Sequence, residues 1–269
     1  MNSIDDVVAS IKAHKPQGRP AEMRAAFAAL VGPQPAAEDV AIGPAGGLAV
    51  GSGPTLLWFH GGGFVFGAPE THVALARAIA AAGVRVVLPR YRLAPEHPWP
   101  AMLDDALAAI DAVPGPVMIG GDSAGGQLAL CAARRRTVRG VAVLSPNTDR
   151  TGASRTRKPL SARDLMNDDA GDAALAREAF GDRPGDDPDV SPWRSDLSGI
   201  AALHIEVGTE EVLLGDSLLL AEAAVLAGVP TALHMTPGLF HLAALWPDAV
   251  PGAAAQLARL GAFARDAAG

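Results

Sequence analysis

Beginning at Thr55 the chain alternates short apolar runs with helical segments, and few folds accept that rhythm. The runs lie at residues 55–59, 84–88, 117–119, 138–144, 203–207 and 231–235. Between most of them fall helical patterns at 71–82, 101–113, 124–136 and 216–227, and a last one spans about 251–264. Runs that are apolar throughout and separated by helices predict a parallel sheet covered on both faces. A length of 269 residues, 49% of them hydrophobic, suits one large α/β domain, alone or with a small accessory lobe.

Two stretches stand outside the alternation. Before any strand, Ile4, Val7, Val8 and Ile11 recur at helical spacing behind Asn2 or Ser3 as cap. A second helix is predicted from Pro20 to just before Gly32, with Met23, Phe27 and Leu30 on one face. Between Pro146 and Ile200 there is no strand candidate, only a helical pattern at 172–180 closed by Gly181. A structureless loop of that length is rare in a compact domain, so the stretch reads as an inserted lid.

Charge and cysteine usage narrow the function classes. With 22 basic and 29 acidic side chains the net charge is −7, and no block of one sign offers a footprint for nucleic acid or an anionic membrane. The one local run, Arg134-Arg135-Arg136, falls at a predicted helix end, where cations complement the dipole, and reads as a solvated cap. Cys131 is the single cysteine, which excludes an intrachain disulfide and a cysteine-held metal; it is expected to pack in the core. Residues 1–13 carry Asp5, Asp6 and Lys12 and lack the apolar block of a signal peptide, and no run of 18 apolar residues occurs. The expectation is a soluble, cytoplasmic protein with no nucleic-acid partner and no stable membrane insertion.

The most informative local pattern is Gly121-Asp122-Ser123-Ala124-Gly125, set between a predicted strand and a predicted helix. It matches G-x-S-x-G, the sharp turn that projects a serine hydroxyl above a sheet edge. Glycines flank the serine because side chains there would collide as strand and helix approach, and the helix N-terminus brings free amides and a positive dipole end to the hydroxyl.

A second glycine signal, His60-Gly61-Gly62-Gly63-Phe64, directly follows the run at 55–59. Serine attack on a carbonyl creates a negative oxygen that needs fixed donors, and glycines let a loop bring its amides close. Gly62 and Gly63 are the favoured donors, with Gly61 shaping the turn and Ala124, the residue after the serine, giving the other amide. His60 reads as an anchor of the loop. A phosphate-binding loop is excluded because no Lys-Ser/Thr follows the glycines.

A serine nucleophile needs a neutral imidazole and a carboxylate that holds its tautomer, in the chain order serine, acid, histidine. His204 and His234 fall inside predicted strands. His241 follows the loop Pro237-Gly238-Leu239-Phe240 after the last strand and is the choice. Glu210 and Glu211 both lie after the run at 203–207, and loop logic does not separate them; Asp216 reads as the cap of the next helix.

These residues resemble the hormone-sensitive-lipase-like branch of the α/β-hydrolases, the microbial esterases with an HGGG motif. The similarity covers about residues 55–265 and rests on His60–Phe64, Gly120–Gly126, the segment from Tyr91 through Ala94-Pro95-Glu96-His97-Pro98-Trp99-Pro100 to Ala101, Glu211–Asp216 and Pro237–His241. In that family the acid stands two residues before a leucine and five before an aspartate. Leu213 and Asp216 then point to Glu211, where many members carry aspartate. The resemblance implies an α/β-hydrolase fold, with an eight-stranded, mostly parallel sheet, helices on both faces and a small helical cap. By that correspondence residues 1–35 and 149–195 form the cap, and 36–148 with 196–269 form the core. It further implies hydrolysis of short- to medium-chain acyl esters through Ser123, His241 and Glu211, without cofactor or metal, and a homodimer available through a sheet edge.

Two departures from the family pattern stand out. The segment before the first glycine motif is short. Where members often read Ser-Pro-Trp-Thr-Asp, this chain has Ser145-Pro146-Asn147-Thr148-Asp149, so an aromatic pocket wall is expected to be missing. Rival functions on the same scaffold are cleavage of amides, formamides or lactones, and non-catalytic binding as in the plant hormone receptors of the superfamily, whose triads are damaged.

Overall fold

In the computed structural model, which describes residues 1–268, two helices come first, α1 (Ile4–Ala13) and α2 (Pro20–Val31). Ser3 caps α1 by accepting from the Asp6 amide at 3.2 Å. Then follow β1 (Glu38–Val40), β2 (Gly47–Val50), β3 (Thr55–Phe59), α3 (Val73–Ala80), β4 (Arg85–Pro89) and α4 (Ala101–Asp111). Next come β5 (Met118–Asp122), α5 (Ala124–Ala133), β6 (Gly140–Leu144), α6 (Arg157–Leu160) and α7 (Asp169–Phe180). The chain ends with β7 (Leu203–Gly208), α8 (Leu214–Leu226), β8 (Thr231–Thr236) and α9 (Ala253–Ala268).

The strands form one eight-stranded sheet in the order β1-β2-β4-β3-β5-β6-β7-β8. From β4 to β8 neighbours pair in parallel; β2 pairs antiparallel with both β1 and β4. All six strands predicted from apolar runs are present, and the fold is the one the resemblance implies. The antiparallel pair β1–β2 has no counterpart among the runs. β1 is three residues long and largely exposed, and β2 is a four-residue strand ending at Val50, just before Gly51.

Period-two alternation assigns each strand residue to one of two cores. On β3, Leu57 and Phe59 join Met102 of α4 and Leu128 of α5, whereas Leu56 and Trp58 join Ile79 of α3 and Leu257 of α9. With both faces covered, the C-terminal ends of β3, β5, β7 and β8 become the place where loops converge.

Two local expectations change. Asp216 does not cap α8, which starts at Leu214; it is fully buried in the first turn and accepts from the Thr148 and Asp149 amides at 2.9 and 2.8 Å. The arginines after α5 are not simply solvated. Arg134 and Arg135 pair with Asp189 at 3.1 and 2.8 Å, and Arg136 pairs with Asp111. The stretch 149–195 is thereby tied to the sheet-covering helices.

Candidate active site

Ser123 occupies the turn between β5 and α5 with φ 54° and ψ −121°, a left-handed conformation that costs a non-glycine residue about 1–3 kcal/mol. Its surroundings enforce it: the Ser123 amide donates to Leu144 O at 3.0 Å, and its carbonyl accepts from Gln127 and Asn147 amides, both at 3.1 Å. The flanking glycines are steric necessities. A Cβ on Gly125 would run into the Phe59 carbonyl, and one on Gly121 into the Gly125 backbone.

The glycine loop after β3 reaches the same point. Gly62 and Gly63 both have positive φ, 122° and 60°, and both border the cavity that holds the Ser123 and His241 side chains. Among the described residues none accepts a hydrogen bond from the Gly62, Gly63 or Ala124 amide. The loop is anchored from two sides. Asp122, immediately before Ser123, accepts from the Gly61 amide and from Trp58 Nε1, each at 2.8 Å, and meets His72 Nε2 at 3.1 Å. His60 stacks on Tyr91 with ring centroids 4.2 Å apart, and Tyr91 donates its hydroxyl to His60 O at 2.6 Å. Burial, and secondarily the neighbouring His72, push the His60 pKa down to about 3, so His60 stays neutral.

The loops after β7 and β8 meet, with the Glu210 amide donating to Leu239 O at 2.9 Å. This meeting brings His241 between Ser123 and Glu211. His241 Nε2 lies 3.0 Å from Ser123 Oγ, and His241 Nδ1 lies 2.8 Å from Glu211 Oε2. The other Glu211 oxygen accepts from Ser145 Oγ at 2.7 Å and from the Gly208 amide. Both His241 and Glu211 are buried. Burial acts to lower the His241 pKa, but the Glu211 hydrogen bond and the charges of Glu211, Asp164 and Asp172 outweigh it and raise the value above 6.5. Glu210, adjacent in sequence, turns the other way and pairs with Arg163.

Sequence reasoning missed Asp122 and His72 as anchors, although Asp122 sits inside the G-x-S-x-G pattern, where a buried acid before the serine was a readable signal. It also missed Asp164, for which no local signal exists. Asp164 Oδ2 accepts from the Val212 amide at 3.0 Å, and Oδ1 accepts from the His241 amide at 3.2 Å.

Asn147, at the position where an aromatic pocket wall was expected to be missing, belongs to a buried polar network. Its amide donates to Asp172 Oδ1 and its oxygen accepts from Arg157, both at 2.7 Å; Arg157 also binds Asp216 and Asp172. The aromatic residues bordering the cavity are instead Phe27 of α2 and Phe66 of the loop after β3. The cavity, about 320 Å³, is lined in part by residues 15–18 between the first two helices and by Met166, Asn167 and Leu175 in and before α7.

His204, Glu206 and His234 form a group with the spacing of metal ligands, on adjacent positions of β7 and β8. Its carboxylate is already engaged, since Arg259 contacts both Glu206 oxygens at 2.7 Å and His204 Nε2 lies 2.9 Å from one of them. A guanidinium thus holds the place that a cation's charge would take.

Comparison with known proteins bears on the family. Residues 56–245 match the profile of a family described by the alpha/beta hydrolase fold. The chain belongs to that family. An acetyl-hydrolase of Streptomyces hygroscopicus is 35% identical over 232 residues, covering 81% of this chain and 77% of the relative. A carboxylic ester hydrolase, LipN, of Mycobacterium tuberculosis is 34% identical, covering 89% of this chain and 71% of its own. Among solved structures, a hormone-sensitive lipase from a metagenome library superposes with a TM-score of 0.89 at 28% identity, over 98% of this α/β-hydrolase and 97% of the other chain. The resemblance to the hormone-sensitive-lipase-like esterases is therefore carried by whole-chain similarity as well as by motifs. No helix among the described residues is long and apolar enough to cross a membrane.

Proposed function

We propose that this chain is a serine carboxylesterase acting on short- to medium-chain acyl esters. The reading rests on one observation: a hydrogen-bonded line from Ser123 through His241 to Glu211 opens on a cavity bordered by glycine amides without protein acceptors. His241 Nε2 takes the Ser123 proton as Oγ attacks the ester carbonyl. The carbonyl oxygen becomes negative and is met by the Gly62, Gly63 and Ala124 amides; one such donor is worth about 2.7–4 kcal/mol in the transition state. The tetrahedral intermediate then expels the alcohol, which leaves with the proton from His241. Water, deprotonated by the same imidazole, attacks the acyl-serine, and the acid and free serine are released. Glu211 keeps Nδ1 protonated and offsets the imidazolium charge in both halves.

The cavity supports the substrate class. Met23, Phe27, Phe66, Met166, Leu175 and Leu242 give it an apolar lining, and its volume lies at the small end of ligand pockets. In this reading residues 1–35 and 149–195 act as a cap over the core, and acyl length is limited by how closely they meet. The chemistry needs only groups of this chain and water, and the setting is the cytoplasm. A homodimer would pair at β8, one of the two edges of the sheet, where Met235 is exposed.

A series of p-nitrophenyl esters from acetate to laurate, run beside anilide and lactone substrates, tests this. Turnover is expected to peak at short to medium acyl chains and to vanish in Ser123→Ala. Faster turnover of an anilide or a lactone would move the assignment to amidase or lactonase. Absence of turnover on every substrate would favour a binder.

A further inference from the structure

The carboxylate of Asp164 touches both halves of the His241–Glu211 pair from outside, through backbone. One oxygen accepts from the amide of His241 itself, and the other accepts from the amide of Val212, the residue after Glu211. The same side chain closes its own turn by accepting from the Met166 and Asn167 amides at 3.0 and 3.3 Å. Met166 and Asn167 border the substrate cavity. Four amides from three segments thus converge on one half-buried carboxylate, and the segment that carries it also lines the site.

We propose that Asp164 is a positioning residue: it fixes the histidine loop against the acid loop, and it couples their geometry to the lining of the cavity. This rests on the reading of His241 as base and Glu211 as its partner. A second carboxylate beside an imidazole also favours the protonated ring electrostatically. The charged groups around this clip are His241 and Glu211 on the two loops, Asp172 on α7 with Arg150 and Arg157 against it, and the Arg163–Glu210 pair. Burial raises the Asp164 pKa to about 6, against the opposing charge of His241 and with the like charge of Glu211.

Asparagine at 164 cannot reproduce the clip. It offers one acceptor oxygen, and its amide nitrogen faces an N–H donor. The test is the pH dependence of kcat and kcat/KM on p-nitrophenyl butyrate for wild type, Asp164→Asn, Asp164→Glu and Ser123→Ala. Asp164→Asn is expected to lose about 10–100-fold in kcat with little change in KM, because the base is displaced. Its acid limb should move down by about half a unit to one unit, because a negative charge near the imidazole is gone. Asp164→Glu should keep the limb at the wild-type pH. An acid limb of Asp164→Asn that coincides with wild type overturns the proposal, whatever the loss in kcat, since a merely structural residue would lower activity without moving it. If Asp164→Asn does not fold, Asp164→Glu decides: its longer arm displaces the two loops while keeping the charge, so kcat should fall about 10-fold with the limb unmoved, and a wild-type kcat in Asp164→Glu overturns the proposal. Residual activity in Ser123→Ala would instead remove the underlying reading.

Discussion

Asp122 and Gly61 are joined by a 2.8 Å hydrogen bond from the glycine amide to the carboxylate, so the residue preceding Ser123 also fixes the first glycine of the loop opposite it. The two glycine-rich motifs, 61 residues apart along the chain by this contact, are built as one unit. Burial raises the Asp122 pKa, but the His72 charge and the hydrogen bonds from His72 and Trp58 outweigh it and hold the value below 3.8. A depressed folded-state value contributes stability that is present above about 3.8 and lost as the pH falls toward the folded value. Asp122→Ala strands the Gly61 amide and Trp58 Nε1, at about 1–3 kcal/mol each. Chemical denaturation should show that loss at pH 7, and kcat/KM should fall by roughly 100-fold as the loop shifts. A variant with wild-type stability and rate would contradict the linkage.

Glu211 and Glu210 offer a clean comparison, being neighbours with different partners. Glu211→Gln should lower kcat by roughly 10³–10⁴-fold, as expected when the partner of a catalytic histidine loses its charge. Glu210→Gln removes only a partly exposed pair with Arg163, worth about 0–1 kcal/mol, and should leave kcat near wild type. The reverse ranking in steady-state kinetics would reassign the acid.

The pH profile carries its own sign. His241 must be neutral to accept the Ser123 proton, and its pKa is raised above 6.5 by Glu211 and Asp164 despite burial. The acid limb of kcat/KM in the wild type should therefore be centred above pH 6.5, with activity rising as the pH increases through it. A limb centred below 6.5 would mean that burial outweighs the carboxylates.

What was legible in the sequence was whatever sterics or burial force onto neighbouring residues. Gly121 and Gly125 had to be glycine because the Phe59 carbonyl and the helix backbone occupy the space a Cβ would need. The central strands had to be apolar because helices cover both faces. β1 escaped notice because its Glu38 and Asp39 are exposed and nothing obliges them to be apolar. Glu211 could be separated from Glu210 only through resemblance, since the direction each side chain takes is set by how the loop packs on Leu239 and Arg163. Asp164, and the buried partners of Asn147, were illegible for the same reason: the groups they bind lie tens of residues away, and no local pattern announces them.

The buried network around Arg157 should show its role in stability. Arg157 is buried against Asp172 and Asp216, and removing one member of such a cluster leaves the others charged and uncompensated. Arg157→Ala is expected to cost about 3–5 kcal/mol in urea denaturation. A change below about 1 kcal/mol, the range of exposed pairs, would mean that the carboxylates find water instead.

The most direct measurement is the mass of the enzyme caught during turnover of a p-nitrophenyl ester, quenched in acid and digested. The expected result is one acyl group on the peptide containing Ser123, lost in Ser123→Ala and formed far more slowly when His241 or Glu211 is replaced. Continued turnover with no acyl adduct on Ser123 under any quench, or an adduct on another residue, would contradict it.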